Sequence, residues 1–335
     1  MKRSDFLKQT GLAAASALFL KKGKDVGKKY TGDPVRPPAL QKGDTIGLVA
    51  PAGIVYEEKE FERMQKNLEE FGLKVKFGEH VRKRRAYFSG TDLQRAEDLN
   101  RMFADDSIDG IMAVRGGWGC ARILPHLDFD MISNNPKVYC GFSDNTTLHH
   151  ALLNYANLVS FHGPNGNSDW TDLTRRSFRE VVMDAKVTEF RSESNVQQII
   201  GGVAKGRLLG GNLTILTTSL GTPYQPDFEN AILFVEDIGE QVYKIDRMMT
   251  HLKHSGVLEQ ISGFIFGKCT DCGHGNMPVF PMREMLKEHL EPFDIPAIMN
   301  ADIGHEPDNF TIPQGVSAEL DAGFGIFRLL DSGVE

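Results

Sequence analysis

Cys120 stands where a chain can present a nucleophile, at the change from a buried strand to a helix. The run 109–125 begins with apolar residues, breaks into glycines around Gly116, and continues as a helix. A side chain at such a turn is held clear of its neighbours and near the first free N–H groups of the helix. Those donors can stabilise the oxyanion formed when a carbonyl is attacked. The pattern indicates a candidate thiol nucleophile, although a free cysteine is more often buried and inert.

Two later segments carry the residue types that activate a nucleophile. The apolar run 231–235 ends in Glu236 and Asp237, and His305 follows a glycine after the apolar run at 296–301. A nucleophile, a histidine and a carboxylate can form a triad without being close in sequence. Charge chemistry alone does not choose between Glu236, Asp237 and Glu240, so the residues by themselves leave the carboxylate open.

Several other polar residues have both a structural and a functional interpretation. The sequence Ser143-Asp144-Asn145 could supply a serine nucleophile, but the same residues make a good N-cap for the helix that follows. We favour the cap, with substrate contact as a second role for Ser143 and Asp144. His162 is either a satisfied structural histidine or a residue that lines the cleft.

Metal-type ligands occur close together at Cys269, Cys272 and His274. No second pair follows at the distance typical of a zinc site. A redox pair is conceivable, and a turn at a strand end is the interpretation that we favour. We therefore expect neither a bound metal nor an organic cofactor, and four cysteines in 335 residues do not predict a disulfide framework.

The first half of the chain alternates strands and helices. Apolar runs predict strands at 45–50, 73–77, 109–114 and 137–142, and helical spacing predicts helices at 57–71, 91–103, after 120 and after 145. This α/β alternation predicts a doubly wound parallel-sheet domain, flavodoxin- or Rossmann-like, over 40–166. Ligands bind such sheets at the carboxyl ends of the strands, where Cys120 and the Ser143-Asp144 turn both fall.

The second half has a different pattern. The polar composition of 167–200, with one helix at 172–185, predicts a linker. Strands are predicted at 231–236, 261–266, 296–301 and 315–329, with helices at 240–254 and 281–291. We expect a smaller, mixed, β-rich C-terminal domain over 201–335, and a cleft between the two domains that joins Cys120 to Glu236 and His305.

Composition limits the class of protein. With 41% hydrophobic and 25% charged residues the chain suits a soluble globular protein, and a net charge of −7 without a basic stripe argues against nucleic acid as a partner. Residues 1–30 form a leader with a basic start and a short apolar run, which resembles a twin-arginine export signal with Ser4 in place of the second arginine. That run is too short for stable membrane insertion. We favour export to the periplasm, with a cytoplasmic location as the alternative.

Ordered motifs along most of the chain resemble the LD-carboxypeptidases, or muramoyltetrapeptide carboxypeptidases. The motifs are KGDTIGLVAPAG at 42–53, FSGTDLQRAEDLNRMF at 88–103, RGGWGCARILPHLDFD at 115–130, NPKVYCGFSDNTTL at 135–148, FHGPNG at 161–166, GRLLGGNLTIL at 206–216, LFVEDIGEQVYKIDRMMTHL at 233–252 and GH at 304–305. Many matches in the right order are more specific than any single motif.

The resemblance implies a catalytic triad and a substrate. It implies Cys120 as the nucleophile, where the family pattern has serine, with Glu236 as the carboxylate and His305 as the base. The amides of Ala121 and Gly90 are the implied oxyanion donors. The implied substrate is a muramyl tetrapeptide, cut between its L-centred diamino acid and the terminal D-alanine.

Alternatives are a hydrolase of another peptide conjugate, of the peptidyl-nucleotide antibiotic resistance type, or an inactive protein that binds cell-wall peptides. A homodimer is compatible with the sequence, which does not fix the oligomeric state.

Overall fold

The computed structural model describes residues 29–30, 32–273 and 278–335. Residues 1–28 of the predicted leader lie outside the described residues, and so does His274. Within the described ranges, no helix is both long enough and apolar enough to cross a bilayer.

The first sheet is built on five strands from the first half of the chain. They are β1 (Thr45–Val49), β2 (Lys74–Phe77), β3 (Gly110–Ala113), β4 (Val138–Gly141) and β5 (Phe161–His162). They lie in the order β5-β4-β3-β1-β2, and each neighbouring pair is parallel. This is the flavodoxin-like doubly wound order, in which the direction of winding changes between β1 and β3. The predicted fold class of the first half is confirmed.

Helices cover both faces of this sheet. They are α1 (Glu58–Glu69), α2 (Asp92–Ala104), α3 (Cys120–Ile123), α4 (Phe129–Ser133), α5 (Thr146–Ala156) and α6 (Asp172–Val182). The helix α1 buries Phe61, Met64 and Leu68, which recur at helical spacing. A capping box begins α2, because the Thr91 hydroxyl accepts from the Gln94 amide while the Gln94 side chain accepts from the Thr91 amide.

The second sheet is mixed and has eight strands in the described chain, in the order β6-β14-β13-β8-β9-β10-β11-β7. The strands are β6 (Glu189–Phe190), β7 (Gln197–Ile200), β8 (Val203–Asn212), β9 (Ala231–Ile238), β10 (Gly263–Thr270), β11 (Ala297–Met299), β13 (Ser317–Asp321) and β14 (Ile326–Leu329). The central strands β8 to β11 are parallel, whereas β13 and β14 pair antiparallel as a hairpin within the predicted strand segment 315–329. The helices are α7 (Leu213–Ser219), α8 (Val242–His254) and α9 (Met282–Leu290).

The segment 167–200 is not a linker, and this boundary of the sequence-based domain division needs correction. Its helix α6 packs on the first half, with the Phe178 ring 5.3 Å from that of Phe71. Its strands β6 and β7 are the two edge strands of the second sheet. The polar run at 191–195 gave no sign of these strands, because edge strands bury few side chains and therefore have a weak apolar pattern.

The two halves of the chain are interlocked. Strand β12 (Ile312–Pro313), from the second half, joins the first sheet antiparallel to β5. The terminal Glu335 amide donates to the Pro37 carbonyl at 3.0 Å. One continuous core cluster contains Leu48 of the first sheet together with Phe234 of the second. Side chains at the facing edges of the two sheets are therefore held in a fixed relation to each other.

Candidate active site

The structure brings Glu236 and His305 together. Glu236 lies in the buried part of β9, and His305 lies in the loop between β11 and β12. His305 Nδ1 is 2.7 Å from Glu236 Oε2. Glu236 has no solvent exposure, and a Cβ atom at residue 304 would lie 3.1 Å from the Glu236 Cβ and Oε2 atoms. Gly304, with φ of +134°, lets the backbone pass close to this carboxylate.

The electrostatics of this pair favour a basic imidazole. Burial by itself lowers the pKa of His305, but the hydrogen bond that His305 donates to Glu236 and the charges of Glu236 and Asp237 outweigh it and raise the pKa. A carboxylate on Nδ1 also fixes the tautomer, so Nε2 is the nitrogen that can accept a proton from a nucleophile.

The two rival carboxylates have other partners. Asp237 Oδ2 accepts from the Thr214 amide at 2.9 Å and the Thr214 hydroxyl at 2.8 Å, at the start of α7. Glu240 forms an ion pair with Lys244 at 2.9 Å. Successive side chains on a strand point to opposite faces, so Asp237 turns away from His305. Glu236 is the carboxylate that contacts the histidine.

His305 lines a cavity of about 400 Å³ between the two sheets. The first half contributes Arg115, Gly116, Gly117, Phe142 and Ser143, and further residues of 165–169; the second half contributes Ile238, His305 and Glu306. A site between two packed units is a common place for a ligand.

Ser143 faces this cavity from a strained turn. It directly follows β4 and Phe142, is half-buried, and has a φ of +65°. A non-glycine residue in this left-handed region costs about 1–3 kcal/mol and is characteristic of functional sites. A strained turn from strand to helix, with an exposed side-chain oxygen at the carboxyl end of a sheet, is the geometry of a nucleophile elbow.

The predicted capping role of the Ser143-Asp144-Asn145 turn needs correction. The N-cap of α5 is Asn145, and no side chain caps that helix by a hydrogen bond. The Asn145 side chain instead accepts from the Tyr139 hydroxyl at 2.6 Å and donates to the Phe142 carbonyl at 3.0 Å. These two hydrogen bonds hold the turn through the buried Asn145 side chain, and Ser143 remains at the cavity surface.

The glycine-rich loop lies directly against Ser143. A Cβ atom on Gly116 would be 2.7 Å from the Ser143 Cβ and 3.0 Å from its Oγ. Such distances exclude any side chain at this position without movement of one backbone. Gly116, one of the glycines that precede Cys120 in the sequence, thus allows this loop to approach Ser143.

Cys120 does not line the cavity, and its predicted role as nucleophile needs correction. The side chain has no solvent exposure and belongs to a core cluster with Leu99 of α2 and Leu148 of α5. Burial, the Asp144 charge and a hydrogen bond with Asp144 raise the pKa of the thiol well above its usual range, with Arg95 opposing them. A neutral thiol packed in a core is neither nucleophilic nor accessible.

The other predicted contacts lie beside the cavity rather than in it. Asp144 is buried, and its Oδ2 accepts from the Cys120 amide at 2.8 Å. Ala121 is exposed on α3, and Gly90 is buried against Gln94 at the start of α2. His162 is buried between Phe142 and Phe234, with ring centroids 6.0 and 5.3 Å away, and burial lowers its pKa well below the usual range.

The described residues that line this cavity include no cysteine. In the described part of the chain, no group of three or more His, Cys, Asp or Glu side chains is arranged to hold a metal. Cys269 and Cys272 form a disulfide at the end of β10.

Arg115 also lines the cavity and was not among the predicted site residues, although its place at the carboxyl end of β3 was a usable signal.

Comparison with known proteins decides the family. Residues 46–163 match the LD-carboxypeptidase N-terminal domain, and residues 205–320 match the LD-carboxypeptidase C-terminal domain. The chain belongs to the LD-carboxypeptidase family. It is a peptidase, as the sequence motifs predicted.

Relatives and solved structures of this family cover most of the chain. A probable murein peptide carboxypeptidase of Bacillus subtilis is 35% identical over 85% of this chain and 91% of its own length. The microcin C7 self-immunity protein in its apo state has a TM-score of 0.83 at 27% identity, covering 90% of this chain and 100% of the other. A muramoyltetrapeptide carboxypeptidase from Oxalobacter formigenes has a TM-score of 0.74 at 29% identity, covering 85% and 97%.

Proposed function

We propose that this protein hydrolyses the L-to-D peptide bond of muramyl tetrapeptides and releases the terminal D-alanine, with Ser143 as its nucleophile. One observation carries the proposal: Ser143 and His305 line the same cavity, and His305 is bonded to the buried Glu236. The names of the murein peptide and muramoyltetrapeptide carboxypeptidases support the substrate class.

The chemistry follows from the order of these contacts. Ser143 Oγ attacks the carbonyl carbon of the diamino acid, and His305 Nε2 takes the hydroxyl proton. The imidazolium then gives this proton to the D-alanine nitrogen as the peptide bond breaks, leaving an acyl ester on Ser143. Water, deprotonated by the same imidazole, hydrolyses the ester. Glu236 stabilises the imidazolium throughout.

Backbone amides supply the oxyanion site in this mechanism. The amide after a nucleophile at a strand-to-helix turn is a usual donor, which here is that of Asp144. Gly117 lines the same cavity and provides the second amide. The Asp144 carboxylate accepts from the amide of Cys120, which ties the glycine-rich loop to the nucleophile turn. Cys120 then contributes its backbone N–H rather than its thiol.

A second candidate is a hydrolase of a peptidyl-nucleotide conjugate. The observation that favours it is the higher TM-score with the microcin C7 self-immunity protein, 0.83 against 0.74. An inactive peptide-binding protein is a weaker candidate, because neither a strained Ser143 nor a buried Glu236–His305 pair helps simple binding.

The test is hydrolysis by the purified protein of a muramyl tetrapeptide and, separately, of an aminoacyl sulfamoyl nucleoside amide, each followed by mass spectrometry. We expect loss of one D-alanine residue from the tetrapeptide and no loss after Ser143→Ala. Cleavage of the nucleoside substrate alone would favour the second candidate. Full activity of the Ser143→Ala protein would exclude the proposed mechanism.

A further inference from the structure

We propose that Arg115 binds the terminal carboxylate of the substrate and thereby restricts cleavage to the last peptide bond. The assignment rests on the proposed function and adds to it the group that distinguishes a free C-terminus from an internal residue. Three features of Arg115 carry it: its place in the sheet, the absence of a carboxylate partner among the described residues, and its position next to Gly116, which packs on Ser143.

Arg115 lies at the point of the first sheet where the direction of winding changes. The amide of Val114, which precedes it, donates to the Val49 carbonyl at 2.8 Å, so the carboxyl ends of β1 and β3 are side by side here. In doubly wound sheets the ligand crevice opens at this change of direction. Arg115 is therefore at the position where the fold itself makes room for a ligand.

The guanidinium is held in place on one side. Arg115 Nη1 donates to the Ile54 carbonyl at 3.1 Å. The side chain packs against Gly53, where an added Cβ would lie 3.5 Å from Arg115 Nε. The Gly53 amide in turn donates to the Gly116 carbonyl at 3.0 Å. These contacts fix the arginine against the β1 loop and leave further N–H donors of its fork for a ligand.

The charge of Arg115 has no protein counterion. Across residues 32–273 and 278–335, no carboxylate lies within ion-pair distance of this half-buried side chain. The two other ionised groups of the cavity lining, Asp169 and Glu306, are exposed, and Asp169 is 4.0 Å from Arg63. A partly desolvated guanidinium without a partner favours an anion, and its planar fork fits a carboxylate.

The position of Arg115 in the chain next to the Ser143 contact suits recognition of a C-terminal residue. Gly116, the next residue after Arg115, packs directly on Ser143. In the substrate, the terminal carboxylate is separated from the attacked carbonyl only by the amide nitrogen and one Cα atom. A carboxylate on Arg115 would thus place the last peptide bond at Ser143, whereas an internal residue would bring a neutral peptide group to the guanidinium.

The experiment measures binding without turnover, in the Ser143→Ala protein. Calorimetry compares a muramyl tetrapeptide with a free D-alanine carboxylate and the same peptide with a C-terminal carboxamide. The second protein is Ser143→Ala with Arg115→Gln, and the matched control is Ser143→Ala with Arg84→Gln. Arg84 also donates to a backbone carbonyl of the β1 loop, that of Tyr56, but it is exposed and outside the cavity.

We expect the acid to bind the Ser143→Ala protein about 10- to 100-fold more tightly than the amide, the usual range for a charged hydrogen bond. Arg115→Gln should bring this ratio close to one by weakening the acid alone, and Arg84→Gln should leave it unchanged. Equal affinities for acid and amide, or an equal loss on both after Arg115→Gln, would overturn the assignment.

A protein that binds neither peptide, and whose wild type releases no D-alanine, would overturn the proposed function as well. Release of D-alanine without any acid preference would overturn only the role of Arg115. If the Arg115→Gln protein does not fold, Arg115→Lys keeps the charge but not the fork, and should lose part of the acid preference. A folded Arg115→Lys protein that binds the amide more weakly yet keeps the full preference for the acid would show that the planar guanidinium fork does not recognise the carboxylate.

Discussion

The Nδ1 atom of His305 lies 2.7 Å from Oε2 of Glu236, across a separation of 69 residues in the chain. The carboxylate comes from a central strand of the second sheet, and the imidazole comes from the loop that returns the chain to the first sheet. Because β12 then pairs with β5, the imidazole is carried to the carboxyl edge where Ser143 lies. Both residues of the pair thus belong to the second half of the chain, and the imidazole lines the cavity together with residues of the first half.

The first prediction concerns the nucleophile. Ser143→Ala should lower kcat by roughly 10⁴- to 10⁶-fold, as loss of a triad nucleophile does. Cys120→Ala should retain most of the activity, because the thiol is buried away from the cavity. Steady-state release of D-alanine from the tetrapeptide measures both. A reversed order, with Cys120→Ala inactive and Ser143→Ala active in folded proteins, would restore the thiol as nucleophile.

The strained backbone at Ser143 makes a second prediction. Ser143→Gly should be more stable than Ser143→Ala by about 1 kcal/mol, because glycine adopts a φ of +65° without the cost that a Cβ atom imposes. Both variants lack the hydroxyl, so the comparison isolates the backbone. Urea unfolding at equilibrium measures the difference. A more stable alanine variant would show that this turn is not strained in solution.

The third prediction concerns pH. The free imidazole is the base, so kcat/KM should rise with pH through the pKa of His305, which Glu236 holds above the ordinary value of about 6.5. Glu236→Gln removes the larger raising contribution, so the acid limb should move to lower pH while the maximum falls by about 10³- to 10⁴-fold.

The control is Glu240→Gln, which removes a half-buried ion pair with Lys244 and leaves His305 untouched. Its acid limb should coincide with that of the wild type. A shift of the Glu236→Gln limb to higher pH would mean that the carboxylate does not stabilise the imidazolium.

The fourth prediction counts reactive thiols. Burial raises the pKa of both Cys120 and Cys140, and the other two cysteines are paired. Iodoacetamide at neutral pH should therefore label no cysteine in the folded protein, two after unfolding without reductant, and four after unfolding with reductant. Intact mass resolves these states. Rapid labelling of Cys120 in the native protein would contradict its burial.

The fifth prediction tests the contact between the glycine-rich loop and the nucleophile. Gly116→Ala introduces a Cβ atom 2.7 Å from that of Ser143, so one backbone must shift. A misplacement of about 1 Å at a catalytic group costs roughly 10²-fold in rate, so kcat should fall by that order. The matched control is Gly323→Ala in the C-terminal hairpin, where the nearest atom to the new Cβ is Asp321 Oδ1 at 3.3 Å. Equal kcat values for the two variants would show that the contact between the glycine-rich loop and Ser143 is not needed for catalysis.

The sequence by itself determined the fold class, and its family motifs predicted Glu236 and His305 as site residues. Apolar runs alternating with helical spacing produce a parallel sheet whatever the distant contacts are, because both faces must be covered. Glu236 and His305 follow apolar runs, and residues at strand ends gather at a sheet edge. The prediction of a linker at 167–200 was wrong for the opposite reason. The edge strands and the helix of this segment are stabilised by contacts with distant parts of the chain, which the local sequence does not reveal.

Only the tertiary structure decided which of two strand-to-helix turns lines the cavity. Cys120 and Ser143 follow neighbouring strands of one sheet, and both precede a helix. Their local sequences therefore predict the same position at the carboxyl edge. The surroundings of each side chain depend on packing: Cys120 lies in the core shared with α2 and α5, whereas Ser143 has a left-handed backbone and lines the cavity that His305 also lines. Neither the packing nor the sign of φ at a serine can be read from neighbouring residues, so the choice was fixed by contacts between distant parts of the chain.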